Sequence, residues 1–76
     1  MLIKLKPIFI RVLQVHENEV NEQSSMENLM AWDSMNHLEL ITQIEDEFKI
    51  KFSMQEIMRL NNMAQILATL KEKGLS

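Results

Sequence analysis

The sequence predicts an all-α fold: a small four-helix bundle with three longer helices, one short helix and a long loop between the first two. Three observations predict it. One glycine and one proline in 76 residues are too few for the turns that a β-rich chain needs between its strands. Apolar residues recur at helical spacing in separate segments. Cysteine is absent and the two histidines, at positions 16 and 37, supply no plausible zinc set, so disulfide and metal staples are excluded and helix packing must hold this short chain together. The length allows one domain, residues 1–76.

The first helix is expected from Lys4 to Val15. Leu5, Ile8, Phe9, Val12 and Leu13 share one side, with Arg11 and Gln14 on the other. Pro7 then falls in the first turn, where its missing N–H breaks no internal bond. From His16 to Trp32 no period is sustained. Acids, Asn, Gln and the pair Ser24-Ser25 surround isolated apolar anchors at Val20, Met26, Leu29 and Met30, which reads as a long, partly pinned loop of the kind often used for function.

A second helix is expected from Ser34 to Phe48. Steps of about 100° place Leu38, Leu40, Ile41, Ile44 and Phe48 on one face, with Glu39, Thr42, Gln43 and Asp46 opposite. Met35 projects with the polar group, so an apolar side chain stands exposed beside the serine that opens the helix and reads as a docking contact. Ser53-Met54-Gln55-Glu56 fits a capping box and opens a short helix from Met54 to Arg59. Asn62-Met63-Ala64-Gln65 has a similar form and opens the last helix, apolar at Ile66, Leu67 and Leu70. Gly74, after Lys71 and Lys73, is its stop.

The net charge of −3 is unevenly distributed. Residues 1–16 carry three bases and no acid, residues 17–48 nine acids and no Lys or Arg, and residues 49–76 five bases and two acids. So acidic a middle repels nucleic acid, and either attracts basic protein surfaces or is a solvated face without a partner. No apolar run approaches the ~20 residues of a membrane span. The first seven residues lack the apolar stretch and cleavage site of a signal peptide. The expectation is a monomer in the cytoplasm.

The most informative stretch is Ala31-Trp32-Asp33-Ser34-Met35. It stands at a helix start, where unpaired N–H groups and the macrodipole favour negative charge. Asn36-His37-Leu38-Glu39-Leu40-Ile41 and the acids Glu45, Asp46 and Glu47 follow. Residues 33–48 resemble the Asp-Ser-Leu segment of acyl carrier proteins, and the likeness extends over nearly the whole chain. Leu13-Gln14-Val15 and Glu19-Val20 resemble the end of that family's first helix, and Ile50, Phe52 and Ser53 its linker into the short third helix.

The resemblance implies a four-helix bundle of the acyl-carrier type and a non-catalytic carrier. Ser34 would bear a 4′-phosphopantetheine arm, and Asp33 would belong to the motif that a phosphopantetheinyl transferase recognises. The arm's thiol would hold acyl groups as thioesters. A loading enzyme for acyl or aminoacyl groups and condensing or acyl-transfer enzymes would be the other partners, docking on Met35, Glu39, Glu45, Asp46 and Glu47. Met35 replaces the usual leucine, Asn36 stands where an acid is frequent, and Trp32 replaces a small residue. These departures point away from the housekeeping role, towards a specialised carrier for a polyketide, a modified sugar or an aminoacyl unit. The resemblance itself implies a carrier in fatty-acid, polyketide or related specialised biosynthesis. A peptidyl or aminoacyl carrier of a nonribosomal or sugar-modifying pathway and an unmodified interaction module are the alternatives.

Two enzyme or metal readings are weaker. Asp33, Ser34 and His37 could be assembled into a hydrolytic triad, but the nucleophile elbow and a second element for an oxyanion hole are missing, and His37 is expected at the surface. Glu45-Asp46-Glu47 lacks the alternating ligands and glycine of a calcium loop. Met26, Met30, Met54, Met58 and Met63 either fill gaps in the core or line a deformable acyl pocket.

Overall fold

The computed structural model describes residues 1–75 and contains four α-helices: α1 (Leu2–Leu13), α2 (Ser34–Phe48), α3 (Met54–Arg59) and α4 (Met63–Glu72). A 3-10 turn at Glu17–Glu19 interrupts the long loop. The core lies between α1, α2 and α4, where Leu5, Ile8 and Phe9 meet Leu40, Ile41 and Ile44 and are closed over by Met63, Ile66 and Leu70.

Local signals set the ends of the helices. The last three helices start where the sequence predicts, because each has a side-chain cap: Asp33 accepts from Asn36 N, Ser53 from Glu56 N, and Asn62 from Gln65 N. The Ser53–Glu56 capping box is reciprocal, with Glu56 Oε1 accepting from Ser53 N at 2.8 Å. At the far end of α4, Gly74 takes φ +86°. Leu75 N bonds back to Leu70 O and Gly74 N to Lys71 O, the paired closure of a helix that ends on a left-handed residue. Lys49 closes α2 in the same way at φ 55°, with Ile50 N on Glu45 O.

α1 is displaced from its expected position. It begins two residues earlier and ends at Leu13, where Gln14 turns left-handed and donates to Ile10 O. Pro7 therefore lies in the second turn, not the first, and withholds an N–H that would otherwise reach the Ile3 carbonyl. Burial of Leu5, Ile8 and Phe9 outweighs that loss. The lack of a side-chain cap at Met1 explains why sequence signals placed this end poorly.

The loop is more ordered than its lack of periodicity suggests. Val20 and Leu29 are buried as expected. Met30 is not an anchor: it is 95% exposed, and Trp32 takes the inward position instead. A backbone bridge joins Ser25 to Asn62, with Met26 N on Asn61 O and Met63 N on Ser24 O. The buried Ser24 hydroxyl accepts from Asn21 N and donates to Glu19 O.

Candidate functional site

Asp33 is the N-cap of α2 and Ser34 its first helical residue. One Asp33 carboxylate oxygen accepts from Asn36 N at 2.9 Å and its carbonyl from His37 N at 2.8 Å. The Asn36 side chain reaches back to donate to Ala31 O at 2.7 Å and ties down the chain ahead of the motif. The N–H groups of Ser34 and Met35 are left without an acceptor among the described residues. Ser34 is exposed, so its hydroxyl stands in solvent at the positive end of a fifteen-residue helix. A phosphodiester fits there, since free backbone N–H groups and the dipole both favour an anion.

The neighbouring side chains divide by face. Met35 is 83% exposed, as expected, and Glu39, Asp46 and Glu47 are exposed along the same helix. Glu45 is half-buried, and its Oε2 accepts from Phe52 N at 2.9 Å, pinning the linker between α2 and α3. Its carboxylate is thus already engaged within the fold.

Two expectations about α2 are corrected. Leu38, assigned to the core face, is 61% exposed, and Phe48 is only half-buried. His37, expected at the surface, is 9% exposed. The buried stripe is His37, Leu40, Ile41 and Ile44, the i, i+3, i+4, i+7 spacing of a helix face. A wheel drawn with apolar residues alone skips the histidine and swings towards Leu38.

Burial of His37 follows from Trp32, a departure from the family pattern that lies in the core. Its indole is 1% exposed and meets Phe9 edge-to-face, with centroids 5.1 Å apart. Trp32 Nε1 donates to His37 Nδ1 at 3.0 Å, and His37 Nε2 lies 3.0 Å from Ile57 O. An indole N–H can only donate, so Nδ1 must accept, and the ring proton sits on Nε2 and is given to Ile57 O. With both nitrogens engaged, His37 cannot serve Ser34 as a base, and the triad of Asp33, Ser34 and His37 is not assembled. The spacing of tryptophan and histidine, each with a polar edge that needs a partner when buried, was the available signal.

The methionines do not form one lining. Met63 is buried, Met26 half-buried, and Met30, Met54 and Met58 are exposed. No cluster of potential metal ligands occurs among the described residues. None of the helices described there is long and apolar enough to cross a membrane.

Residues 4–70 match the family described as "Phosphopantetheine attachment site". The chain belongs to that family. Acyl carrier proteins are among its relatives: that of Chlamydia caviae is 30% identical over 69 residues, covering 91% of this chain and 90% of the relative. That of Buchnera aphidicola is 25% identical over 72 residues, covering 95% and 90%. The solution structure of the holo acyl carrier protein from Geobacter metallireducens superposes with a TM-score of 0.83 at 33% identity, covering 95% of this chain and 83% of that one. The four-helix carrier fold is therefore shown, and phosphopantetheine is the prosthetic group of this acyl carrier protein family.

Proposed function

We propose that Ser34 is the attachment residue and that the chain carries acyl or aminoacyl groups on the arm in a specialised biosynthetic pathway. The observation that carries this reading is the exposed Ser34 hydroxyl on the first residue of α2, beside two free backbone N–H groups. In the attachment step the Ser34 oxygen attacks the coenzyme A phosphorus that bears the pantetheine arm. One O–P bond forms, the pyrophosphate link breaks, adenosine bisphosphate leaves, and the hydroxyl proton passes to a base of the transferase. The anion so formed is favoured by the N–H groups of Ser34 and Met35. Once attached, the arm supplies a thiol that holds cargo as a thioester.

Asp33 holds the helix start in shape through Asn36 N and is the acidic member of the motif that the transferase reads. Exposed Met35, Glu39, Asp46 and Glu47 form the docking face for enzymes with basic rims around an apolar socket. Glu45 contributes charge at its edge, while its engaged oxygen holds the linker. Trp32 ahead of the motif and Asn36 after it favour a dedicated carrier over a housekeeping one.

Incubation with coenzyme A, Mg²⁺ and a broad-specificity phosphopantetheinyl transferase should add the mass of one arm, and Ser34→Ala should fold and gain nothing. Intact mass spectrometry reads both results. An arm on Ser34→Ala, or none on the wild-type chain with several transferases, would overturn the assignment.

A further inference from the structure

The start of α2 touches α3 through a buried polar chain that the carrier reading does not use. Trp32 Nε1 donates to His37 Nδ1, and His37 Nε2 donates to Ile57 O, both at 3.0 Å. Trp32 lies two residues before Ser34 and packs edge-to-face on Phe9 of α1. One imidazole thus links the segment that bears the motif to α3, and through the indole to α1.

We propose that Trp32 and His37 are positioning residues for the Ser34 end of α2, and that they hold it against α3 while His37 is neutral and release it when His37 takes up a proton. The chemistry is asymmetric. The bond to Ile57 O needs an N–H on Nε2 and survives protonation. The bond from Trp32 needs a bare Nδ1, and a proton there sets two N–H donors against each other. The indole N–H, whose one hydrogen bond among the described residues is to His37, is left unpaired in a buried position and must turn outward to find water. The chain ahead of Asp33 then moves with it.

No charged side chain among the described residues hydrogen-bonds the imidazole. On α2, Asp33 is exposed and capped onto Asn36 N. On α3, Glu56 is committed to Ser53 N and Lys73, and Arg59 is exposed. On α1, Lys4 is exposed, Lys6 is half-buried, and Arg11 reaches Gln43. Solvent entry, rather than a new ion pair, would therefore accommodate the imidazolium. That the release alters access to Ser34 rests on Ser34 being the attachment residue, whereas the latch itself does not.

The first measurement is a long-range ¹H–¹⁵N correlation of the imidazole rings in the wild-type chain at neutral pH. It should show His37 protonated on Nε2 and bare on Nδ1, and the opposite tautomer would overturn the proposal. The second follows emission of Trp32, the one tryptophan, as the solution is acidified from neutral pH. A single-proton transition is expected in the wild type and in His16→Gln. It should be lost in His37→Gln, whose amide can accept from the indole and donate to Ile57 O but takes no charge. A flat wild-type signal, a transition that survives in His37→Gln, or one that disappears in His16→Gln assigns the latch elsewhere and overturns it. The rate of arm addition to wild type, divided by that of His37→Gln, should change across the same transition. A constant ratio removes the positioning role and leaves the attachment reading standing, whereas no arm at any pH sinks the attachment reading and leaves the latch intact.

Discussion

His37 and Leu38 are neighbours on α2 that exchange the positions their chemistry suggests: the imidazole is 9% exposed and the leucine 61%. The difference between the two faces they belong to is one of partners. The inner face offers His37 a donor and an acceptor, so burial leaves neither ring nitrogen unpaired. Among the described residues nothing covers Leu38 or Met35 on the outer face. A buried polar residue and a group of exposed apolar ones are each more informative than their hydrophobic averages. The first belongs to the architecture, and the second lies on the face proposed for docking.

If this division holds, truncation at the centre of the inner face has the largest effect. Ile41→Ala should cost about 2–5 kcal/mol, measured as a shift in urea midpoint, because Ile41 is 3% exposed in the core. Next comes the polar node. Trp32→Phe keeps an aromatic ring against Phe9 but leaves His37 Nδ1 without its donor, at a cost of about 1–3 kcal/mol. A Trp32→Phe chain as stable as the wild type would show that the node contributes no stability.

The outer face should behave in the opposite way. Met35→Ala and Leu38→Ala should each change stability by no more than about 0.5 kcal/mol while slowing arm addition. Glu39→Lys with Asp46→Lys should slow it further at low salt than at high salt. If either alanine variant unfolds the chain, the face is structural and the docking assignment fails with it.

The smallest effect concerns α3, which is held from both sides. Ser53 N, and then Lys73 at 3.2 Å, lower the pKa of Glu56 below the ordinary carboxylate value. A depressed folded-state pKa contributes stability above the unfolded value that is lost as pH falls through the folded one. Wild type should therefore be slightly more stable than Glu56→Gln near neutrality, and the gap should close in acid. A gap that widens in acid would contradict the sign.

The parts of this fold that were legible in the sequence are those fixed by local chemistry. Ser53 and Asn62 announce their helices because a short oxygen-bearing side chain can take up a free N–H, and α2 is capped in the same way by Asp33, one residue ahead of the serine that marked its start. Ser34 was legible from its place at a helix start, and the exposure of Met35 from the helical wheel, which sets it among the polar residues of α2. The register of the inner face was not, because His37 is buried only through Trp32 and Ile57, and such pairings across the fold leave no periodic trace. The start of α1 was missed for want of a cap, and Glu45 merged with its acidic neighbours because its bond to Phe52 N lies across a turn.

The bridge between Ser25 and Asn62 bears on how the protein opens. Met26 N–H and Met63 N–H are each held across it, by Asn61 O and Ser24 O. The middle of the long loop therefore cannot lift away without also freeing the first amide of α4, although the two segments are far apart in the chain. Exchange of these two amide hydrogens with solvent should be governed by one shared opening event and should proceed at similar protection. Fraying of α1 at its uncapped end, by contrast, should expose neither of them.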